Sequence, residues 1–341
     1  MNQLQLPIPE FFNRQTVGTL YRVPYQQRAT EAENWAKQHN ISPAKADKIR
    51  ICLLLIDVQN TFCIPDFELF VGGSTGMGAV EDNVRLCEFI YRNLNIITEI
   101  IPTMDSHTAM QIFHPIFWVN DAREHPTPAS AIALEEVQQG IWKINPDIAY
   151  SLAADDGDRL QQHALYYVKK LSDDGKYPLT IWPYHSMLGG IGHALVSAVE
   201  EAAFFHNLSR RSQTQFELKG SNPLTENYSV LSPEVLDTAN GQTIAHKNTG
   251  LIQKLLDFDA VIIAGQAKSH CVAWTIDDLL TEINHKDPNL AKKIYLLENC
   301  TSPVVIPGIV DFTPQADAAF QRFADAGMNI IKSSQGLFHN R

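Results

Sequence analysis

Cysteine is scarce in this chain: five residues in 341 (Cys52, Cys63, Cys87, Cys271 and Cys300), an odd number without a CxxC pair. That excludes a secreted disulfide scaffold and points to a reducing, cytoplasmic setting. Basic residues are also outnumbered, with 27 Lys and Arg against 38 Asp and Glu and a formal charge of −11. Such a balance argues against a nucleic-acid partner or an anionic membrane surface, so the expected partner is a small molecule. No apolar run approaches a membrane span, and the opening MNQLQLPIPEFFNRQ has no basic start followed by an apolar stretch. Gly72, Gly73, Gly76 and Gly78 cluster in one loop, but GxxxxGK[ST] is absent and the glycines make no phosphate loop. Neither an internal repeat nor a low-complexity tract is visible.

What is present is a hydrophobic fraction of 45%, enough for a substantial core in one large domain or two. The most informative stretch is Asp259 to Leu280, DAVIIAGQAKSHCVAWTIDDLL. Ala260 to Ala264 reads as a buried strand, Gly265 and the small polar residues after it break the strand, and Cys271 stands at the break. Val272, Ile276, Leu279, Leu280 and Ile283 fall at offsets 0, 4, 7, 8 and 11, one face of a helix that starts directly after the cysteine. A thiol at a helix N-terminus and a strand's carboxyl end is placed where thiolate is favoured and ligands bind.

Similar reasoning along the chain gives strands at Ile51 to Ile56, Ile96 to Pro102, Tyr177 to Trp182, Gln215 to Leu218 and Ile294 to Leu297, with Asn329 to Lys332 following the closing helix. Helices are expected at Ala29 to Asn40, Val80 to Tyr91, Ala129 to Gln139, Asp158 to Leu171, His193 to Phe205, Thr249 to Leu256 and Pro314 to Ala326. Alternation of this kind implies an α/β fold: a mainly parallel, doubly wound sheet with helices on both faces. Residues 1–49 read as an N-terminal arm and 50–341 as one domain, with a polar, proline-bearing insertion at about 120–175. Asp57, Asp105 with His107, Lys219 and Cys271 all stand at strand ends, where a parallel sheet can bring a nucleophile, a base and a cation to one edge.

DVQNTFC at Asp57 to Cys63, MDSH at Met104 to His107, WPYHSMLGGIG at Trp182 to Gly192, LKGSNPLTENYS at Leu218 to Ser229 and AGQAKSHCVAWTIDD at Ala264 to Asp278 occur in one order. In these pieces the chain resembles the cysteine hydrolases of the isochorismatase and nicotinamidase superfamily, over most of residues 50–118 and 176–335. The resemblance implies the isochorismatase-like hydrolase fold, with Cys271 as nucleophile, Asp57 as the base that deprotonates it and Lys219 as the third catalytic member. It implies a cis peptide at Gln266 to Ala267 and an oxyanion hole made by the N–H groups of Ala267 and Cys271. It makes Asp105, His107 and His185 ligands of a divalent metal, zinc first, with iron or manganese as other candidates, and calls for no organic cofactor. His114 is a possible supporting ligand.

Phe62, Trp182 and Tyr228 match positions that line a ring pocket. The function so implied is hydrolysis of nicotinamide or a related carboxamide to the acid and ammonia through a thioester, in a protein expected to be a homo-oligomer. The alternatives are a ureido, carbamoyl or isochorismate-like substrate, or a binding protein without catalysis. Ser186, Leu188, Gly190, Lys268 and Ser269 depart from the family's usual residues at the pocket rim and bear on the substrate rather than the reaction type.

Overall fold

The computed structural model describes residues 5–335. Its six sheet strands are β1 (Ile51–Ile56), β2 (Glu99–Asp105), β3 (Glu217–Lys219), β4 (Ala260–Gly265), β5 (Ile294–Leu297) and β6 (Asn329–Ile331), in spatial order β6-β5-β4-β1-β2-β3. The pairings of β1 with β2 and β4, of β4 with β5 and of β5 with β6 are parallel. Every residue of β1 and β4 is buried. That explains why both read as unbroken apolar runs: a parallel strand with helices on both faces has no polar side. The long helices are α1 (Tyr25–Gln38), α2 (Gly78–Arg92), α3 (Gly157–Asp173), α4 (Ser197–Arg210), α5 (Thr249–Asp257), α6 (Ala273–Lys286) and α7 (Thr313–Asp325). Among the described residues, no helix is long and apolar enough to cross a membrane, and no disulfide is formed.

The chain divides into two compact units. The first, residues 1–104, 194–217 and 249–341, contains all or most of five strands and the helices α1, α2, α4, α5, α6 and α7. Its core joins Leu53 and Leu55 of β1, Ile262 and Ala264 of β4, and Leu86, Phe89 and Ile90 of α2. In the N-terminal segment, the Phe11 ring lies 5.8 Å from Tyr91 and 5.3 Å from Phe205. Arg28 covers that ring at 3.8 Å and donates to Glu201 at 2.6 Å. The segment thus seals the outer faces of α2 and α4. Strand order reverses about β1, since the chain runs outward through β2 and β3 and returns on the other side as β4. The crevice beyond the carboxyl ends of β1 and β4 is therefore the switch point at which open α/β sheets bind ligands.

The second unit, residues 105–193 and 218–248, is built from α3, short turns and two small antiparallel pairs. One joins Trp118–Val119 to Lys143–Ile144 and the other Ala131–Ile132 to Leu179–Thr180. Phe113, Phe117, Trp118, Ile132, Tyr167 and Ile181 form its buried centre.

Several expected elements moved. Tyr177 to Trp182 is not a strand of the main sheet; only Leu179–Thr180 pairs, and with Ala131–Ile132. Pro178 and Pro183 flank that pair and cannot donate to a ladder, which limits its extension. The helix expected at Ala129 to Gln139 contracts to Leu134–Gln138, because Ala129 takes a left-handed conformation and residues 131–132 are extended. Strand β2 begins three residues later than its apolar run suggests, at Glu99, and carries on to Asp105. Helix α4 starts at Ser197 rather than His193.

Candidate active site and metal centre

In the sheet unit, β1 and β4 run in register to Ile56 opposite Gly265. Asp57 and Gln266 therefore leave the sheet from neighbouring positions. The Gln266 N–H still donates to Ile56 O at 2.8 Å, and the Gly265 N–H to Cys300 O at 3.1 Å. Only glycine fits at Gly265: φ is +123° and a Cβ would lie 2.0 Å from Ile56 O. Asp57, wholly buried, has φ +47°, uncommon for a residue with a side chain. That turn lets its N–H donate to Thr103 Oγ1 at 3.0 Å, while the Thr103 hydroxyl donates back to Asp57 Oδ1 at 2.5 Å. The sequence pattern did not single out Thr103. Its only signal is a hydroxyl two residues before Asp105 in a strand that is otherwise apolar there.

The bond between Gln266 and Ala267 is cis, as the resemblance implies. Lys268–Val272 then forms one wide turn that runs directly into α6. Cys271 thus lies within the first turn, not ahead of it, because the Val272 N–H bonds back five residues to Ala267 O at 3.2 Å. Of the five cysteines, Cys271 is the most exposed at 8%, and the other four are at 0% or 1%. Burial pushes those four thiols well above their ordinary range. Phe62 is also in this unit, 9% exposed on the single helical turn Asn60–Cys63.

In the second unit the structure gathers Asp105, His107 and His185, all buried, with one ligand atom from each within 4.8 Å of the others. His107 Nδ1–H donates to Gly220 O at 3.0 Å and His185 Nδ1–H to Pro183 O at 2.8 Å, so both rings turn Nε2 inward. These Nε2 atoms lie 2.8 Å and 3.5 Å from Asp105 Oδ2. With Nδ1 committed as donor, each Nε2 faces Asp105 Oδ2, where either a proton on the ring or a cation held between the atoms satisfies both. Two imidazoles and one carboxylate, each imidazole held from behind by a backbone carbonyl, are the donor set and support that suit a divalent ion. The fit is good on chemistry and orientation alike.

Lys219 occupies the other carboxylate oxygen. Its Nζ donates to Asp105 Oδ1 at 2.8 Å and to Asn227 O at 2.8 Å, joining two constellations that the sequence treats as separate. Burial by itself would raise the Asp105 carboxyl, but the positive charges of His107 and Lys219 outweigh it and hold the group well below the usual carboxylate range. Burial lowers His185, against its hydrogen bond to Asp105. Gly220 sits at the bottom of this arrangement with φ +83°; a Cβ there would lie 2.6 Å from His107 Cε1 and 2.9 Å from Asp105 Oδ1.

His114 stands close by, its ring 6.0 Å from His107 and 5.9 Å from His185. Its Nδ1–H donates to Ala109 O at 3.1 Å, and its Nε2 is buried with no hydrogen-bond partner among the described residues. Burial and the two neighbouring imidazoles push it down to about 3. The structure also brings Trp182 and Tyr228 together, the indole N–H donating to the Tyr228 hydroxyl at 3.2 Å. The same N–H reaches Glu226 Oε1 at 2.9 Å. Glu226 escaped the sequence reading; burial pushes its carboxyl well above the usual range. Ser106 and His193 form a further pair at 2.8 Å on the segments carrying the candidate ligands.

No family model and no curated protein matches the chain by sequence. Solved structures do match by shape. The yeast nicotinamidase bound to the inhibitor nicotinaldehyde superposes with a TM-score of 0.50 at 17% identity, over 83% of this chain and 99% of that one. A nicotinamidase and pyrazinamidase from Acinetobacter baumanii gives 0.46 at 17% identity, over 84% and 97%. N-carbamoylsarcosine amidase from Thermoplasma acidophilum gives 0.40 at 14% identity, over 85% and 99%. At such identities the likeness speaks for the fold alone, and the chain carries the isochorismatase-like α/β fold of the yeast nicotinamidase.

Proposed function

We propose that the protein is a metal-containing cysteine amidohydrolase of the isochorismatase superfamily, acting on nicotinamide or a related heteroaromatic carboxamide. The observation that carries this reading is the buried Asp105, His107 and His185 cluster, with Lys219 on the second oxygen of the same carboxylate. A structural ion pair has no need of two imidazoles turned onto it by backbone carbonyls. Asp105, His107 and His185 would hold a divalent cation, zinc first, which when bound supplies a Lewis acid able to orient a pyridine nitrogen or water.

The remaining chemistry belongs to the chain. Asp57 takes the proton of the Cys271 thiol, and the thiolate sulfur attacks the amide carbon. The N–H groups of Ala267 and Cys271 receive the negative charge that develops on the carbonyl oxygen. Asp57 then passes its proton to the leaving nitrogen, ammonia departs, and water cleaves the thioester to the acid. Lys219 acts through charge, restraining Asp105 and favouring anionic states in the reaction. Trp182 and Tyr228, with Phe62, are assigned to the substrate ring, where flat apolar faces select a planar ligand.

The deciding experiment is ammonia release from a panel of aromatic and aliphatic carboxamides and N-carbamoyl compounds, using purified protein of measured metal content. Preferential turnover of pyridine carboxamides, lost on chelation and restored by zinc, iron or manganese, is expected. Turnover confined to carbamoyl compounds would move the substrate assignment, and full activity after complete metal removal would overturn the metal's role.

A further inference from the structure

Behind the turn that carries Cys271 lies a polar cluster without an assigned role. Gln266 is wholly buried and Asp82 is 2% exposed, an unusual pair to enclose in a core. Gln266 Nε2 donates to Asp82 Oδ2 at 2.9 Å, and Gln266 Oε1 accepts from the Ser302 N–H at 3.2 Å. Arg85 donates to the other Asp82 oxygen at 2.9 Å, and the Ser302 side chain also hydrogen-bonds Asp82. The same Ser302 accepts from the Lys268 N–H at 2.8 Å, and the Val304 N–H donates to Ser269 Oγ at 3.1 Å. Gln266 and Lys268 are therefore each anchored to one network centred on Asp82 and Ser302, while Ser269 is held beside it by the Val304 N–H.

We infer that Asp82 is a positioning residue for the reaction: acting through Gln266, it fixes where the Ala267 N–H and the Cys271 sulfur point. The inference rests on the amidohydrolase reading for its chemistry, though not for its geometry. A purely stabilising cluster needs only satisfied hydrogen bonds, wherever they lie. This one satisfies Gln266, which shares its peptide unit with the Ala267 N–H, and holds Lys268 through Ser302 as well. Small displacements of prealigned donors and nucleophile are costly in rate while leaving substrate affinity nearly unchanged. The role accordingly falls on kcat rather than KM.

The test compares Asp82→Ala, Asp82→Asn and Gln266→Met in the full chain. Each is measured for kcat, KM, melting temperature, metal content and the rate of Cys271 alkylation by iodoacetamide. Asparagine keeps an acceptor for Gln266 and stays close to aspartate in shape, so it reports even if the alanine variant folds poorly. Asp82→Ala and Gln266→Met are expected to lower kcat roughly 10- to 100-fold with KM little changed, and to shift the Cys271 alkylation rate at full metal content. Asp82→Asn is expected to recover most of kcat. Equal melting losses in Asp82→Asn and Asp82→Ala without a difference in kcat would overturn the inference, as would an unchanged alkylation rate in all three variants. Alkylation needs no substrate, so if no carboxamide is turned over the functional reading fails while the positioning role is still decided.

Discussion

The two compact units hold their polar residues by different means. In the sheet unit, Asp57 and the turn from Gln266 to Cys271 hang from the ends of two strands that are paired along their whole length and buried on both faces. In the second unit, Asp105 ends a strand, but His107 and His185 sit on loops, oriented by single hydrogen bonds to the carbonyls of Gly220 and Pro183. Position in the first case is inherited from a hydrophobic core. In the second it comes from a closed polar network in which each member restrains the next. A change at a strand end should therefore act locally, whereas a change in the network should spread to stability and metal content together.

Substituting Cys271→Ala separates the two most sharply. Turnover is expected to fall by about 10⁴-fold or more, the loss typical of a covalent nucleophile, with metal content and melting temperature near those of the parent. An alanine variant that still releases ammonia at the parental rate removes Cys271 from the mechanism. Asp105→Ala should instead damage the second unit as a whole. It leaves buried Lys219 without its carboxylate, which costs about 3–5 kcal/mol, and metal analysis should find the site empty. Retention of stoichiometric metal in that variant would show that the ligands lie elsewhere.

Acidification combined with a substitution at His206 isolates one acid-sensitive group of the sheet unit. His206, buried with Nε2 against Ile97 O at 2.9 Å, is pushed by burial down to about 4. An unfolded histidine titrates near 6.5, so below that pH the unfolded chain binds a proton that the folded chain refuses, and stability falls until about pH 4. The loss is on the order of 3 kcal/mol for this residue. His206→Gln should flatten the slope of melting temperature between pH 7 and 4, and an unaltered slope would refute the assignment. The smallest effect is expected from Thr103→Val, which removes the hydroxyl facing Asp57. It should cost about 1 kcal/mol of stability and lower kcat several-fold with metal content constant. A change in metal content there would mean that the two units respond less independently than their construction implies.

Much of the fold was legible in the sequence because hydrophobic period reports burial directly. ICLLLI and AVIIA are continuous apolar runs, and both became central parallel strands. The failures fall where period is weak. Tyr177 to Trp182 is apolar enough for a strand, yet its flanking prolines and its partner at Ala131–Ile132 placed it outside the main sheet. The ligand candidates were legible only as motifs; no property of DxH in isolation says that His107 and His185 converge on the same carboxylate oxygen. Thr103 left only a weak signal, and Glu226 and Asp82, among other polar residues, left none, because a hydroxyl or acid has many ordinary uses and its partner is remote in the chain.

The order of strands and helices, the placement of Cys271 at a strand-to-helix break and the chemical kinds of side chain at the strand ends were determined by the sequence alone, since local pattern and residue type suffice for them. Which oxygen of Asp105 faces the imidazoles and which faces Lys219, and that a buried acid stands behind Gln266, were decided by the tertiary structure. The contacts of Lys219 with Asp105 and of Gln266 with Asp82 join residues more than a hundred positions apart, and the energies of all of them depend on burial, which no stretch of sequence carries by itself.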